Sequence, residues 1–389
     1  MLKNKIGGLY PEPVEGLRTW VEISESAVKN NFKEFRKFVS PKTKIMSVVK
    51  SNAYGHGLVE FSNIVAKCGV DWLGVDSIVE GLALRKAGIK KPMLVLGFIL
   101  PSRLKEASEN GISITVSSFD GLNTVLEESG RFAKPVRMHL KVDSGMHRQG
   151  FLPEQVAEVV KKLVSNKKVI VEGVYTHFAA AKNPSFPNDT RAQISEFSKA
   201  IEILRGANIN PIVHAGATSG SLVFPEAQFD MVRVGIGMYG LWPSVEVMRA
   251  FERKINLKPV LSWKTIIGEV KTLPDGGGVG YDFTEKLKPG SKVAVCPIGY
   301  WHGYRRSFSS IGNVLVRGKR AKVMGRVAMD MIVIDVTDIS GVKMLDEVVL
   351  LGKQGGDVIS ADEMAAVSGT INYEITTTIN PLIRRVIVR

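Results

Sequence analysis

The sequence predicts an α/β fold, a (β/α)8 barrel of the TIM type followed by a mostly β C-terminal domain. Three observations carry that prediction. Short apolar, β-branched runs alternate with helix-period segments over the first two thirds of the chain. Near Leu257-Lys258-Pro259 this texture gives way to strand-like runs separated by glycine-rich turns. At 389 residues the chain has room for a large barrel and an appended domain.

Barrel strands are expected at Ile45–Lys50, Trp72–Val75, Met93–Gly97, Ile112–Val116, Val136–Val142, Val169–His177, Ile212–His214 and Met231–Ile236. Amphipathic helices such as Val59–Cys68, Ile78–Ala87, Glu154–Val164 and Gln193–Arg205 lie between them. Ser24 or Ser26 caps a first helix over Ala27–Phe38. An open, doubly wound sheet is the competing arrangement. In the second domain, strands are expected at Lys264–Lys271, Lys292–Cys296, Asn313–Val316, Ala321–Met324, Ile332–Val336 and Val348–Leu351, with one helix over Ala361–Ser368. The domain reading is a loose terminus over 1–17, the barrel over 18–257 and the β domain over 258–389. The strand Thr19–Ile23 could pair with either domain.

Composition narrows the class. The 44% hydrophobic and 23% charged fractions suit a globular enzyme, and no apolar run is long enough to span a membrane. The N-terminus lacks the apolar stretch of a secretory signal. Cys68 and Cys296 read as reduced, buried thiols, so the protein is expected in the cytoplasm. The net charge is +14, and from Trp301 to Ala328 the chain carries Arg305, Arg306, Arg317, Lys319, Arg320, Lys322 and Arg326 with no acidic residue. Interleaved aromatics make a nucleic-acid surface conceivable. A solvated basic face is preferred, since no nucleic-acid motif accompanies the charge.

Chemistry is concentrated in a few motifs. The decapeptide V-V-K-S-N-A-Y-G-H-G (Val48–Gly57) ends an apolar strand on Lys50. A lysine there is costly unless it snorkels outward or has a task, such as an imine with an aldehyde cofactor. Leu140–Gly150 reads L-K-V-D-S-G-M-H-R-Q-G, Thr176–Phe178 reads T-H-F, and Phe229–Ser244 reads F-D-M-V-R-V-G-I-G-M-Y-G-L-W-P-S. G-V-G-Y-D (Gly278–Asp282), Gly299-Tyr300 with Gly303-Tyr304, and G-R-V-A-M-D (Gly325–Asp330) follow in the β domain. A plain ion pair of Asp143 with Lys141 or Arg148 is the competing reading of the second motif.

Together these motifs resemble the alanine racemases, a fold-type III family dependent on pyridoxal 5'-phosphate, over almost the whole chain from about Arg18. The resemblance implies racemisation of L- and D-alanine by two bases, Lys50 on the D-face and Tyr281, donated by the partner subunit of a homodimer, on the L-face. It implies that Lys50 holds the cofactor and Tyr54 meets its phosphate. Arg148 binds its phenolic oxygen and the substrate carboxylate, and Lys141 is a lysine that can be carbamylated. By the same resemblance His177 orients the catalytic tyrosine, and His214 bonds Arg233, which faces the pyridine nitrogen. Thr218 and the backbones of Gly235 and Ile236 bind phosphate. Tyr300 lines the substrate entrance, and the Met329 N–H meets the substrate carboxylate. The resemblance also implies a supply of D-alanine for peptidoglycan. His302, Lys182, Ala217 with Thr218, and Pro381 depart from the common family pattern, at positions bearing on the entrance and the phosphate grip. Serine or broad-specificity racemases and decarboxylases share this cofactor fold. Decarboxylases place a glutamate at the pyridine nitrogen, so Arg233 argues against them. A non-catalytic cofactor carrier would need no Tyr281.

Overall fold

A computed structural model describes residues 16–163 and 166–389. Most of the expected loose terminus, and the end of the expected helix at Val164, lie outside the described residues. Two compact units are present. One holds Ser24–Val260 with Ile387–Arg389, and the other holds the first strand up to Ile23 with Leu261–Val386.

The first strand, β1 (Thr19–Ser24), belongs by pairing to the second unit. The eight that follow close into a parallel barrel: β2 (Lys44–Val48), β3 (Trp72–Val75), β4 (Met93–Val95), β5 (Ser113–Val116), β6 (Val136–Lys141), β7 (Val169–Tyr175), β8 (Ile212–Ala217) and β9 (Met231–Val234). Closure comes from β2 pairing with both β3 and β9, which excludes an open sheet. Barrel strands are covered on both faces, and β3, β4, β5 and β9 are accordingly buried at every residue. Met46, Trp72, Leu94, Tyr175 and Met231 form one buried cluster. Side chains from five strands around a barrel can meet only in its interior.

Several helices are started by a serine immediately before them. Ser24, not Ser26, caps the helix Glu25–Phe38 by accepting from the Ala27 N–H at 3.2 Å. Ser77 and Ser118 do the same for Ile78–Lys86 and Phe119–Ser129. Each such cap is worth about 1 kcal/mol. The helix expected at Gln193–Arg205 begins earlier, at Asn188, and runs to Gly206.

The second unit is a ten-stranded sheet with a two-stranded hairpin. Its strands are β10 (Leu261–Ile266), β11 (Glu269–Leu273), β12 (Gly277–Val279), β13 (Glu285–Leu287), β14 (Ser291–Cys296), β15 (Asn313–Val316), β16 (Lys319–Met324), β17 (Ile332–Asp335), β18 (Glu347–Gln354), β19 (Asp357–Ile359) and β20 (Arg385–Val388). β1 pairs antiparallel with β10, Thr19 opposite Thr265. Burial alternates along β10, as expected where one sheet face is solvated.

The single strand expected at Lys264–Lys271 is two. At Ile267 and Gly268 the chain changes partners: Ile267 N–H donates to Asp346 O at 2.9 Å, then Gly268 N–H to Val295 O at 2.8 Å. A second helix, Asn372–Thr377, follows the expected Ala361–Ser368. Cys296 is buried, whereas Cys68 is only half-buried, which corrects the expectation that both are inside. Among the described residues no helix is long and apolar enough to cross a membrane.

The basic run is largely neutralised by acids that are distant in sequence. Arg305 pairs with Glu374 at 2.9 Å, Arg317 with Asp346 at 3.2 Å and Arg326 with Asp282 at 2.8 Å. Arg320 meets Asp357 at 2.9 Å and also Glu363, and Lys322 meets Glu285. Paired guanidinium groups are poor phosphate ligands, because each pair must break before counterions can be displaced. Duplex and single-stranded DNA are therefore expected to bind weakly and without sequence preference at physiological salt. Tight binding that survives high salt in a filter or anisotropy assay would restore the nucleic-acid reading.

Candidate active site

Within the barrel unit, the motif residues gather where the strands end, the usual place for chemistry in this architecture. Lys50 does not end a strand. β2 stops at Val48, and Lys50 opens a turn in which Ser51, Asn52, Ala53 and Tyr54 all have φ between 52° and 56°. Left-handed backbone costs roughly 1–2 kcal/mol per non-glycine residue, so four in a row need support. Ala53 N–H donates to Val49 O at 2.9 Å and Gly57 N–H to Asn52 O at 3.0 Å. The Asn52 side chain accepts from Leu58 N–H at 2.8 Å, and Glu80 accepts from Asn52 N–H at 3.2 Å. Glu80 also accepts from the Asp76 N–H at 2.8 Å, and Asp76 pairs with the Lys50 ammonium at 3.3 Å. Strain held this firmly, beside a half-exposed lysine, is typical of a functional loop.

The same turn places the Tyr54 phenol against Gly235. A Cβ at residue 235 would lie 2.8 Å from Tyr54 Oη, so glycine there lets the phenol approach this closely. Burial pushes Tyr54 up to about 12, leaving it a neutral hydrogen-bonding group. Its ring packs on Tyr239 at 4.8 Å, and Tyr239 Oη donates to Val48 O at 2.8 Å. Thr218 Oγ1 accepts from the N–H groups of Gly235 at 3.1 Å and Gly237 at 3.3 Å. Ala217 is the last residue of β8, and Ile236 begins the short turn after β9.

Arg233 is buried in β9, and its donors can be counted. Nη1 donates to His214 Nδ1 at 3.0 Å and His214 O at 3.1 Å. Nη2 donates to Thr176 O at 2.7 Å and Ala215 O at 2.8 Å, with His177 Nδ1 farther off at 3.4 Å. All four Nη hydrogens are thus occupied. Among the described residues only the Nε–H lacks an acceptor. Burial lowers Arg233 to about 10, so it stays cationic at neutral pH. Burial, with Arg233 and Lys141 nearby, lowers His177 to about 3, so its imidazole is neutral. His214, expected at a strand end, lies inside β8 because that strand continues to Ala217.

Lys141 ends β6, is 6% exposed, and lies over the Tyr175 ring at 5.0 Å. Arg233 lies over the same ring, also at 5.0 Å. Burial, then the charges of Arg233 and Arg148, bring Lys141 down to about 7. The competing ion-pair reading fails here. The Asp143 carboxylate is engaged by the N–H groups of Gly145, Met146, His147 and Arg148 at 2.9–3.0 Å. No ion pair joins it to Lys141 or Arg148 among the described residues. The Arg148 side chain is exposed. Lys50, Lys141, Arg148 and Arg233 form a predominantly cationic site, in which Asp76 pairs with Lys50, suited to phosphate and carboxylate ligands.

In the C-terminal unit, Tyr281 begins a tight turn between β12 and β13 and is 65% exposed. Asp282 in that turn is tied to Arg326. Tyr300 N–H donates to Ala328 O and Trp301 N–H to Met329 O, both at 3.0 Å. The three motifs of this domain are thereby assembled on one unit, with Tyr281, Tyr300 and Met329 exposed. His302, a departure from the family pattern, turns inward, and its Nδ1 accepts from Gly299 N–H at 3.2 Å. Lys182 gives its carbonyl to Ser244 Oγ at 2.8 Å, and Pro381 is exposed.

The sequence matches the family described as "Alanine racemase, N-terminal domain" over residues 23–243 and "Alanine racemase, C-terminal domain" over 260–387. The chain belongs to the alanine racemase family. An alanine racemase of Methanococcus maripaludis is 41% identical over 369 residues, covering 94% of this chain and 98% of that protein. The crystal structure of alanine racemase from Bacillus anthracis with bound L-Ala-P superposes with a TM-score of 0.89 at 36% identity, covering 96% of this chain and 95% of that one. A histidine racemase from Leuconostoc mesenteroides superposes at 0.87 with 28% identity, covering 96% and 99%.

Asp76, Glu80, His139 and Tyr175 belong to the same cluster but to none of the sequence motifs. Two of them carried a signal. His139 precedes Lys141, and Tyr175 precedes His177, by the two residues that put strand side chains on one face.

Proposed function

We propose that the protein is a pyridoxal-phosphate-dependent alanine racemase with two bases, acting as a homodimer. The observation that carries this reading is Arg233, whose one uncommitted donor is available to a ring nitrogen beside Lys50 and the Thr218–Gly235 cradle. When bound, the cofactor supplies an aldehyde for the amines and a conjugated ring that acidifies the substrate Cα–H. Lys50 holds the cofactor and moves a proton at the D-face of Cα. The Tyr54 hydroxyl, the Thr218 hydroxyl and the backbones of Gly235 and Ile236 hold its phosphate. Arg233, cationic throughout the neutral range, keeps the ring nitrogen unprotonated.

Arg148 holds the substrate carboxylate and the cofactor's phenolic oxygen. Lys141, near pKa 7, presents enough neutral amine to add carbon dioxide with loss of a proton. The resulting carbamate supplies the anion that Arg148 and Arg233 lack. Neutral His177, with Nδ1 toward Arg233, has Nε2–H left to orient the partner subunit's Tyr281, the base at the L-face. Exposure of Tyr281, Phe283, Tyr300, Trp301, Met329 and Met331 supports a site completed by a second copy. Tyr300 then lines the entrance, and the Met329 N–H meets the carboxylate. A cytoplasmic supply of D-alanine for peptidoglycan fits this activity. Broad specificity is the second reading, favoured by the likeness to a histidine racemase.

The test is loss of optical rotation with each L-amino acid, after reconstitution with cofactor. The shared site has its own test. Lys50→Ala and Tyr281→Phe, each inactive, should regain activity when mixed and allowed to exchange subunits, because one hybrid site recovers both bases. If heterodimers form and turnover never returns, Tyr281 is not donated across the dimer.

A further inference from the structure

Buried polar groups continue beyond Arg233 into the barrel. His214 and His139 are both fully buried, and His214 Nε2 lies 2.8 Å from His139 Nδ1. His139 Nε2 is buried with no hydrogen-bond partner, and the nearest carboxylate oxygen, Glu172 Oε2, is 3.8 Å away. Glu172 is itself held by the Ser113 hydroxyl and by Arg137 at 2.9 Å.

The direction of every bond in this row follows from one fact: arginine donates and cannot accept. Arg233 Nη1–H donates to His214 Nδ1, so His214 carries its proton on Nε2. That proton goes to His139 Nδ1, so His139 also carries its proton on Nε2. The remaining N–H points toward Glu172, where only an acceptor can end the row. A 3.8 Å gap closes with a small ring movement.

We propose that Glu172 is a positioning residue for Arg233, acting through His139 and His214. Its carboxylate holds both imidazoles in the Nε2–H form. This keeps Nη1 of Arg233 on His214 and leaves the Nε–H for the cofactor nitrogen. The inference rests on the reading of Arg233 given above. Without the carboxylate, the row can reverse. His139 would then present a proton to His214, and His214 Nδ1–H would oppose Arg233 Nη1–H, donor against donor.

The packing is built for this row. A Cβ on Gly173, the residue after Glu172, would lie 2.2 Å from His139 Nδ1, so the absence of a side chain makes room for the imidazole. Tyr175 stacks on His214 with centroids 4.8 Å apart and planes within 9°, and Trp72 meets His139 edge-on at 5.2 Å. Burial holds both histidines below their ordinary range, so they stay neutral. Burial alone would raise Glu172, but the neighbouring His139 ring, a hydrogen bond from Ser113 and the Arg137 charge bring it to about 2.

The test uses nitrogen-15 histidine labelling of the full chain, with and without pyridoxal phosphate. Wild type is expected to show both histidines neutral and protonated at Nε2. Glu172→Gln, whose amide can present a donor, should mix the tautomers of both rings. Its kcat should fall about tenfold to hundredfold, as for loss of one charge-assisted hydrogen bond, with KM for alanine changed far less. A merely structural role would lower the thermal midpoint and leave the tautomers alone. Nδ1–H on either histidine of the wild type overturns the inference even if the variant does not fold. Wild-type tautomers together with wild-type kcat in Glu172→Gln overturn it as well. Cofactor binding is read separately from visible absorbance. Its absence would overturn the functional reading, whereas wrong tautomers overturn only this inference.

Discussion

Lys50→Ala should abolish the absorbance of the lysine-bound cofactor near the visible edge and slow racemisation by about 10²–10⁴ or more, since a base and an attachment point are lost together. The ion pair with Asp76 is partly exposed, so its loss should leave stability almost unchanged. That separates the chemical role from a structural one, and a denaturation curve recorded beside the spectrum checks it. One other amine deserves a control. Lys141 is buried, falls to about 7, and belongs to the same cationic cluster. Residual absorbance that vanishes in the double variant Lys50→Ala/Lys141→Ala would identify Lys141 as a substitute. Wild-type turnover with an unchanged spectrum in Lys50→Ala would move the cofactor lysine elsewhere.

Arg233→Glu should be the second large effect, for an electrostatic reason. A carboxylate beside the ring nitrogen favours its protonated form, the reverse of what arginine enforces. Racemisation is expected to slow, with long-wavelength absorbance appearing on addition of alanine and pyridoxamine phosphate accumulating. Stopped-flow spectra and chromatography of the released cofactor measure both. The structure adds a stability cost. The four acceptors that Arg233 now serves, three carbonyls and His214 Nδ1, would face a buried carboxylate instead. A loss of about 3–5 kcal/mol is expected, as when one partner of a buried charge network is removed. If Arg233→Glu racemises at the wild-type rate with no side product, Arg233 is not the partner of the ring nitrogen.

The sequence alone determined the architecture and the set of residues that define the family. A two-residue period and an unbroken apolar run are local properties, so the barrel strands were legible to within a few residues. Motif residues such as Lys50, Arg233 and Tyr281 could be named from their neighbours in the chain. Tertiary structure alone decided how these residues are held. Nothing local to Ser51–Tyr54 demands a left-handed turn; Glu80, from the helix after β3, helps to impose it. The split between β10 and β11 was hidden because both halves are strand-like. It arises where Ile267 and Gly268 exchange one neighbouring segment for another. A basic run in the sequence becomes a set of ion pairs only when acids from Asp282 to Glu374 fold beside it. The row from Arg233 to Glu172 spans four strands, and its direction depends on which atoms face one another across the barrel. Backbone periodicity is written in adjacent residues, whereas the partner of a charge or a proton is set by the whole fold.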